Sequence, residues 1–253
     1  MHYFGNIVTS FPKINKVNAV IDIGNSRIKL GLFQNGKMID CKLANNEDEA
    51  SLLLGKIEIK KMIVSSVRKE NDWINNLKVG EKKVFLGPET PLPINIVYDT
   101  PDTLGTDRIA AATGAFLRYP KKNCLVIDLG TCITYDFLDE KGNFNGGAIS
   151  PGIRMRLNAL HQQTSNLPLI EAWDAKIPLT GKSTKESILS GVIIGVKQEI
   201  EGFIRSYHDK VANLQIIFTG GDFKMVENLL ESRPIWANHL VLEGLHGILE
   251  HNN

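Results

Sequence analysis

Two stretches of the chain place a carboxylate at the end of an apolar run and follow it with glycine and a small polar residue. They are Val20-Ile21-Asp22-Ile23-Gly24-Asn25-Ser26 and Val126-Ile127-Asp128-Leu129-Gly130-Thr131. A carboxylate so placed needs water, a cation or a hydrogen-bond donor, because an unpaired charge is expensive inside a core. Glycine lets backbone N–H groups approach phosphate, and aspartate holds a cation. Two such turns facing each other across a cleft would suit a nucleoside triphosphate with its metal. A single strand-Asp-Gly is an ordinary turn; two copies in register with a repeat of the surrounding elements point to a binding function.

Three further constellations carry chemistry. Tyr98-Asp99-Thr100-Pro101-Asp102-Thr103-Leu104-Gly105-Thr106-Asp107-Arg108 runs into a predicted helix, with Asp107 and Arg108 in its first turn. An acidic residue there complements the helix dipole, which accounts for Asp107 alone. It does not account for Tyr98, Gly105 and Arg108 crowding the same short loop. Gly146-Gly147-Ala148-Ile149-Ser150-Pro151-Gly152 leaves room for a bulky ligand or makes a strand bulge. Thr219-Gly220-Gly221-Asp222 at a strand end reads equally as a ligand-lining turn or as a plain cap. The tripeptide Gly181-Lys182-Ser183 is a decoy: the phosphate loop needs glycine where Lys176 stands, and Pro178 opposes the required strand. Gly181 reads as loop and Ser183 or Thr184 as a helix N-cap. His161, His208, His239 and His246 show no metal-ligand spacing.

The elements that position these residues repeat. Strands are expected into Asp22, from Ile28, and over Lys37 to Leu43 after an Asn35-Gly36 hairpin turn. A short helix over Asn46 to Leu54, a strand over Met62 to Val67, a weak helix over Asn71 to Lys78 and a strand over Lys83 to Leu86 follow. Pro88, Pro91 and Pro93 forbid regular structure in the next loop. A helix over Thr106 to Leu117 ends at Tyr119-Pro120. The order then restarts: strands into Asp128, over Cys132 to Leu138 and over Phe144 to Ile149. A helix with Pro151 at its start runs to about Gln163, and a long one runs over Thr184 to Tyr207. A strand over Gln215 to Phe218, a helix to Leu230, a short strand near Trp236 and a helix over Leu242 to Leu249 close the chain. Gly191 and Gly195, four apart on the long helix, cost roughly 1 kcal/mol each against alanine, so a close neighbour is expected there: a helix, a nucleotide or a second subunit. The pattern predicts an α/β protein of two repeated domains, each a mixed sheet flanked by helices, over 17–120 and 121–253, behind an extension over 1–16.

Composition bounds the function. A net charge of +1 gives no electrostatic footprint for nucleic acid or an anionic membrane. No apolar run reaches the roughly 20 residues of a membrane span. The first residues lack the basic start and apolar block of a signal peptide. Cys41, Cys124 and Cys132 stand far apart without a CxxC pair, so reduced thiols and a cytoplasmic setting are expected.

From about Ala19 onward the chain closely resembles the type III pantothenate kinases, bacterial enzymes with the RNase H-like fold of the actin and sugar-kinase superfamily. Asp22-Ile23-Gly24-Asn25-Ser26 matches the family's DxGN[TS] phosphate motif. Tyr98, Pro101 and Leu104 to Arg108 match its pantothenate motif. Asp128 to Thr131 with Asp136, Gly146-Gly147 with Pro151-Gly152, and Gly181 with Thr184 match three others. The departures are Ser26 where threonine is common, Thr106 where alanine is common, and Cys132 after the second Gly-Thr. The resemblance implies ATP-dependent phosphorylation of pantothenate, the first step of coenzyme A biosynthesis, in a homodimer. It implies that Asp22, Ile23, Gly24, Asn25, Ser26, Arg27, Ile28, Lys29 and Thr131 bind ATP. Tyr98, Gly105, Thr106, Asp107, Arg108 and Thr184 would bind pantothenate. Asp107 would act as the base, Mg²⁺ would lie near Asp22, and Asp128 would bind potassium or ammonium. Arg108 would orient either the substrate carboxylate or a phosphate oxygen. Two rivals remain: a non-catalytic regulatory relative, and another small-molecule kinase of the superfamily. Retention of Asp107, Asp128 and Thr131 opposes the first. The absence of the zinc-type sugar kinases' cysteine cluster, together with the Tyr98 to Arg108 stretch, opposes the second.

Overall fold

The computed structural model describes residues 16–25, 27–68, 72–173, 176–231 and 235–253. The extension expected over 1–16 lies outside them except for Lys16, and so does Ser26 of the first turn.

The chain forms two compact units. The first comprises Met1–Pro93, Thr100–Gly114 and Val241–Asn253; the second comprises Ile94–Asp99 and Ala115–Leu240. The contiguous cut expected after residue 120 is not how the contacts divide. The last helix joins the first unit because its apolar face packs there, a long-range choice that local pattern does not carry.

In the first unit, β1 (Val17–Ile23), β2 (Ile28–Gln34), β3 (Lys37–Ala44), β4 (Ile59–Ser66) and β5 (Val79–Phe85) form one sheet in the order β3-β2-β1-β4-β5. The β1–β2 and β2–β3 pairs are antiparallel, and β1–β4 and β4–β5 are parallel. Asn35 and Gly36, both at positive φ (51° and 75°), make the hairpin turn into β3. Helix α1 (Glu47–Leu54) is capped by Asn46, whose side chain accepts from the Glu49 N–H at 2.9 Å. The weak helix expected over Asn71 to Lys78 is a single 3₁₀ turn, Asp72–Asn76.

In the second unit, β6 (Asn95–Ile96) lies at one edge of a six-stranded sheet, ordered β11-β10-β7-β8-β9-β6. Helix α2 (Thr106–Arg118) precedes β7 (Asn123–Leu129), β8 (Cys132–Leu138) and β9 (Asn143–Pro151). Then come α3 (Ile153–Gln162), α4 (Thr184–Leu189), α5 (Gly195–His208), β10 (Leu214–Thr219) and β11 (Ile235–Trp236), before the chain returns to the first unit with α6 (Leu240–His251). The β7–β8 and β8–β9 pairs are antiparallel, and β7–β10 and β10–β11 are parallel. Strands β7, β8, β9, β10 and β11 thus repeat the connectivity of β1 to β5. Both sheets are mixed and flanked by helices, as the repeat predicts.

Three local expectations are corrected. Pro151 ends β9 rather than opening a helix; Gly152 caps α3, which starts at Ile153. The long helix is interrupted between α4 and α5 by a π turn over Ser190–Ile194. Gly191 lies within that turn and Gly195 directly after it, and among the described residues outside the neighbouring helical backbone nothing comes within 4 Å of the place where a Cβ would stand on either. The helix expected up to Leu230 is two short 3₁₀ turns, Phe223–Met225 and Glu227–Leu229.

Candidate active site

In the first unit the β1–β2 hairpin sets Asp22 directly opposite Lys29. Asp22 is 5% exposed, with Lys29 Nζ 3.5 Å from its Oδ2. Burial raises the Asp22 pKa; Lys29 pulls it down, and the Asp107 charge pushes it up again. The turn closes through the Gly24 N–H, which donates to the Arg27 carbonyl at 3.1 Å. Asn25 and Arg27 are exposed. Ile23 and Ile28 are fully buried in the core, so either one can meet a ligand only through its backbone.

Sequence reasoning passed over Arg68, which lies just beyond β4. Its Nε donates to the Gly24 carbonyl at 3.1 Å and its Nη2 to the Asn25 carbonyl at 3.2 Å. A lone arginine in a loop carries no periodic signal. Only the parallel β1–β4 pairing, which sets Ile23 beside Ser66, brings Arg68 to the turn.

The start of α2 lies in the same unit. The Asp107 Oδ1 accepts from the Arg108 N–H at 2.8 Å. A Cβ on Gly105 would stand 2.5 Å from that oxygen, so a larger residue there would displace the carboxylate. Thr106 Oγ1 and Ser65 Oγ are 2.9 Å apart in a hydrogen bond, and Ser65 is the β4 residue paired with Asp22. Arg108 is 6% exposed, and Ile109, Ala110, Ala111 and Ala112 are all buried. The middle of helix α2 is therefore buried all round, with α6 packed closely on it, while Leu117 and Arg118 at its end are exposed. A Cβ on Gly244 would stand 1.8 Å from the Ala110 carbonyl oxygen.

In the second unit the residue opposite the equivalent aspartate is different: Asp128 faces Thr134 across the β7–β8 hairpin. Asp128 also pairs with Thr219 of β10, and its carboxylate rests on the turn that follows. A Cβ on Gly220 (φ 96°) would stand 2.4 Å from Asp128 Oδ1 and 2.3 Å from the Leu129 carbonyl oxygen. The Asp222 N–H donates to that same carbonyl at 3.0 Å. Thr131 is exposed, and the Gly152 N–H donates to its carbonyl at 3.1 Å. Asp136 is 1% exposed and accepts from Thr134 Oγ1 at 3.0 Å.

The paired glycines of β9 serve packing. A Cβ on Gly147 would stand 1.8 Å from the Tyr135 carbonyl oxygen, and Gly146, at positive φ, leaves 3.3 Å to the Tyr98 ring. Tyr98 also meets Phe144 edge-on, with centroids 6.1 Å apart. Ser183 is the N-cap of α4, accepting from the Glu186 N–H at 3.2 Å, which leaves Thr184 exposed at the first helical position. Beside β9, Arg156 donates to Ser150 Oγ at 2.6 Å and to Glu199 Oε2 at 2.5 Å, while the buried Tyr135 hydroxyl donates to Glu199 Oε1 at 2.8 Å.

Among the described residues no three His, Cys, Asp or Glu side chains gather as a metal cluster. All three cysteines are free thiols. Asp22 and Asp107 nevertheless give the first unit two carboxylates of like charge, one of them buried. That donor set fits a hard divalent cation bound largely through water and phosphate. Asp128, with backbone carbonyls close by, fits a hard cation that takes oxygen ligands.

The family model for type III pantothenate kinase matches residues 19–206. The type III pantothenate kinase of Cytophaga hutchinsonii is 43% identical over 93% of this chain and 100% of its own length. That of Bacteroides fragilis is 41% identical over 94% of this chain and 99% of its own. Among solved structures, a conserved putative Baf family transcriptional activator from Campylobacter jejuni superposes with a TM-score of 0.64 at 22% identity. The match covers 92% of this chain and 98% of that one. A putative 2-dehydro-3-deoxygalactonokinase from Sinorhizobium meliloti gives 0.59 at 13% identity, over 93% and 99% of the two chains. At those identities the two likenesses concern the fold alone.

Proposed function

The chain belongs to the type III pantothenate kinases and phosphorylates pantothenate with ATP; from that premise we propose how its residues divide the work. The Asp22–Lys29 hairpin, with Thr131, holds the ATP, Asp107 is the base, and Asp128 carries a monovalent cation. The observation that carries this reading is the Ser65–Thr106 hydrogen bond, which ties the β4 residue paired with Asp22 to the start of α2.

Phosphoryl transfer passes through a loose transition state, so positioning and charge neutralisation outweigh base strength. Asp107 therefore acts mainly by position: it orients the pantothenate hydroxyl and takes its proton late. Gly105 leaves space beneath that carboxylate, and the Arg108 N–H fixes one of its oxygens. Magnesium, when bound near Asp22, supplies positive charge to the phosphate oxygens. Lys29 adds a second cation beside Asp22, and the Gly24–Arg27 turn supplies backbone N–H donors. Tyr98, Gly105, Thr106, Arg108 and Thr184 recognise pantothenate, a role carried by their match to the family motifs. Arg108, nearly buried at the helix start, suits a fixed anion contact. The same reading gives a cytoplasmic homodimer, with size-exclusion chromatography coupled to light scattering as its check.

The test is ADP release by the purified chain with pantothenate, simple sugars or acetate, repeated with Asp107→Asn. Turnover with pantothenate alone is expected. The amide keeps the size of the side chain but cannot take the proton, so turnover should fall roughly 10²–10⁴-fold with ATP binding and the melting temperature held. Near-normal turnover in folded Asp107→Asn protein would leave Asp107 as a helix cap.

A further inference from the structure

We infer that Arg68 is a positioning residue for the ATP-phosphate turn, acting through the backbone rather than on the nucleotide. Its two bonds fall on consecutive carbonyls, Nε to Gly24 and Nη2 to Asn25. A trans peptide unit points its C=O and N–H in opposite directions, so holding the Gly24 carbonyl also aims the Asn25 N–H. The turn that must offer N–H donors to phosphate is thereby set before ligand arrives, and a preset donor costs no reorganisation when charge develops.

Arg68 is itself held. Ser66 Oγ accepts from the Arg68 N–H at 3.0 Å and lies 3.1 Å from the Arg68 carbonyl, to which it donates. The Val67 N–H donates to the Ile23 carbonyl at 3.1 Å, extending the β1–β4 pairing to the edge of the turn. Glu47 Oε1, 4.0 Å from Nη1, steadies the outer edge of the guanidinium. A planar fork can span two carbonyls at once; the single ammonium point of lysine cannot. In the second repeat the strand equivalent to β4 is β10, which ends at Thr219 and is followed by Gly220-Gly221-Asp222, and there the Asp222 N–H reaches the Leu129 carbonyl. The arginine is a feature of the first copy, the one to which the ATP phosphates are assigned.

The inference rests on that assignment, and Lys29→Met keeps the two separable. Steady-state kinetics of Arg68→Ala should show KM for ATP rising roughly tenfold or more, with KM for pantothenate within about twofold of wild type. Arg68→Lys should recover little of the loss. Added ethylguanidinium should restore part of the activity of Arg68→Ala, and sodium chloride at equal ionic strength should not. An unchanged ATP KM in Arg68→Ala, beside a raised one in Lys29→Met, overturns the inference and leaves the phosphate assignment standing. Unchanged values in both overturn the two together. Full recovery by lysine overturns positioning in favour of charge alone. A parallel change in both KM values with a lowered melting temperature reduces Arg68 to a stabilising residue.

Discussion

The two strand-turn-strand copies share a topology and differ in how they treat their aspartate. In the first, Asp22 is deeply buried, faces a lysine across the hairpin, and leads into a turn whose carbonyls are gripped by an arginine. In the second, Asp128 is half-buried, faces a threonine, and leans on a glycine turn at positive φ. One copy carries its cations as side chains. The other offers oxygens and space. Under the proposed division of labour, the same backbone would serve as an anion cradle in one copy and a cation seat in the other, depending on two or three side chains around it.

The largest expected effect tests the second copy. With potassium or ammonium replaced by choline at equal ionic strength, turnover should fall by roughly 10²-fold, on the scale of losing one strong electrostatic contact in the transition state. Asp128→Asn should be slow in every salt. Equal rates of wild type in choline and potassium would erase the contrast between the copies.

Lys29→Met tests the first copy. It removes the cation opposite Asp22, and KM for ATP should rise about tenfold while the dependence on potassium persists. Loss of the potassium response instead would show that the copies do not divide the labour.

The turn glycines sharpen the comparison. A Cβ on Gly24 would meet the Arg27 carbonyl at 3.3 Å, and one on Gly130 would meet Asp128 Oδ1 at 3.5 Å; neither glycine has a positive φ. Each change to alanine should alter stability by no more than about 1 kcal/mol. Loss of ATP binding in folded Gly24→Ala would then report phosphate approach rather than fold. Gly220→Ala is the opposite case: a clash with backbone and a left-handed φ should cost roughly 1–3 kcal/mol or more, read as a lowered melting temperature.

The smallest effect is a pH dependence. Burial raises the Asp22 pKa above its unfolded value, so the folded state binds this proton more tightly than the unfolded chain does. That contribution to stability is complete below the unfolded pKa and is lost as pH rises through the folded one. Asp22→Asn stays neutral and should melt above wild type at neutral pH in metal-free buffer. The gap should close as pH falls through the carboxylate range. A lower melting temperature at neutral pH would mean that the Lys29 pair outweighs burial.

Much of this was written in local sequence. Alternating and continuous apolar runs broken by Asn35-Gly36 and Lys141-Gly142 fix the hairpins, because turn glycines and strand patterning act between near neighbours. The repeat of the Asp-Gly turn predicted two mixed sheets, and the run into Arg108 predicted a helix from Thr106 with Asp107 in its first turn. Tertiary structure decided what lies far apart in the chain. Helix α6 joins the first unit and packs closely on α2, through a glycine 134 positions beyond Ala110. Gly146 and Gly147 prove to be a seat for Tyr98 and a close strand pairing, which no run of residues distinguishes from a ligand pocket. Pro151 completes β9 because pairing with Cys132 outweighs its preference for a helix start. Arg68 reaches the phosphate turn only through the parallel β1–β4 register, since a polar contact has no periodicity and becomes visible only once the strands are paired.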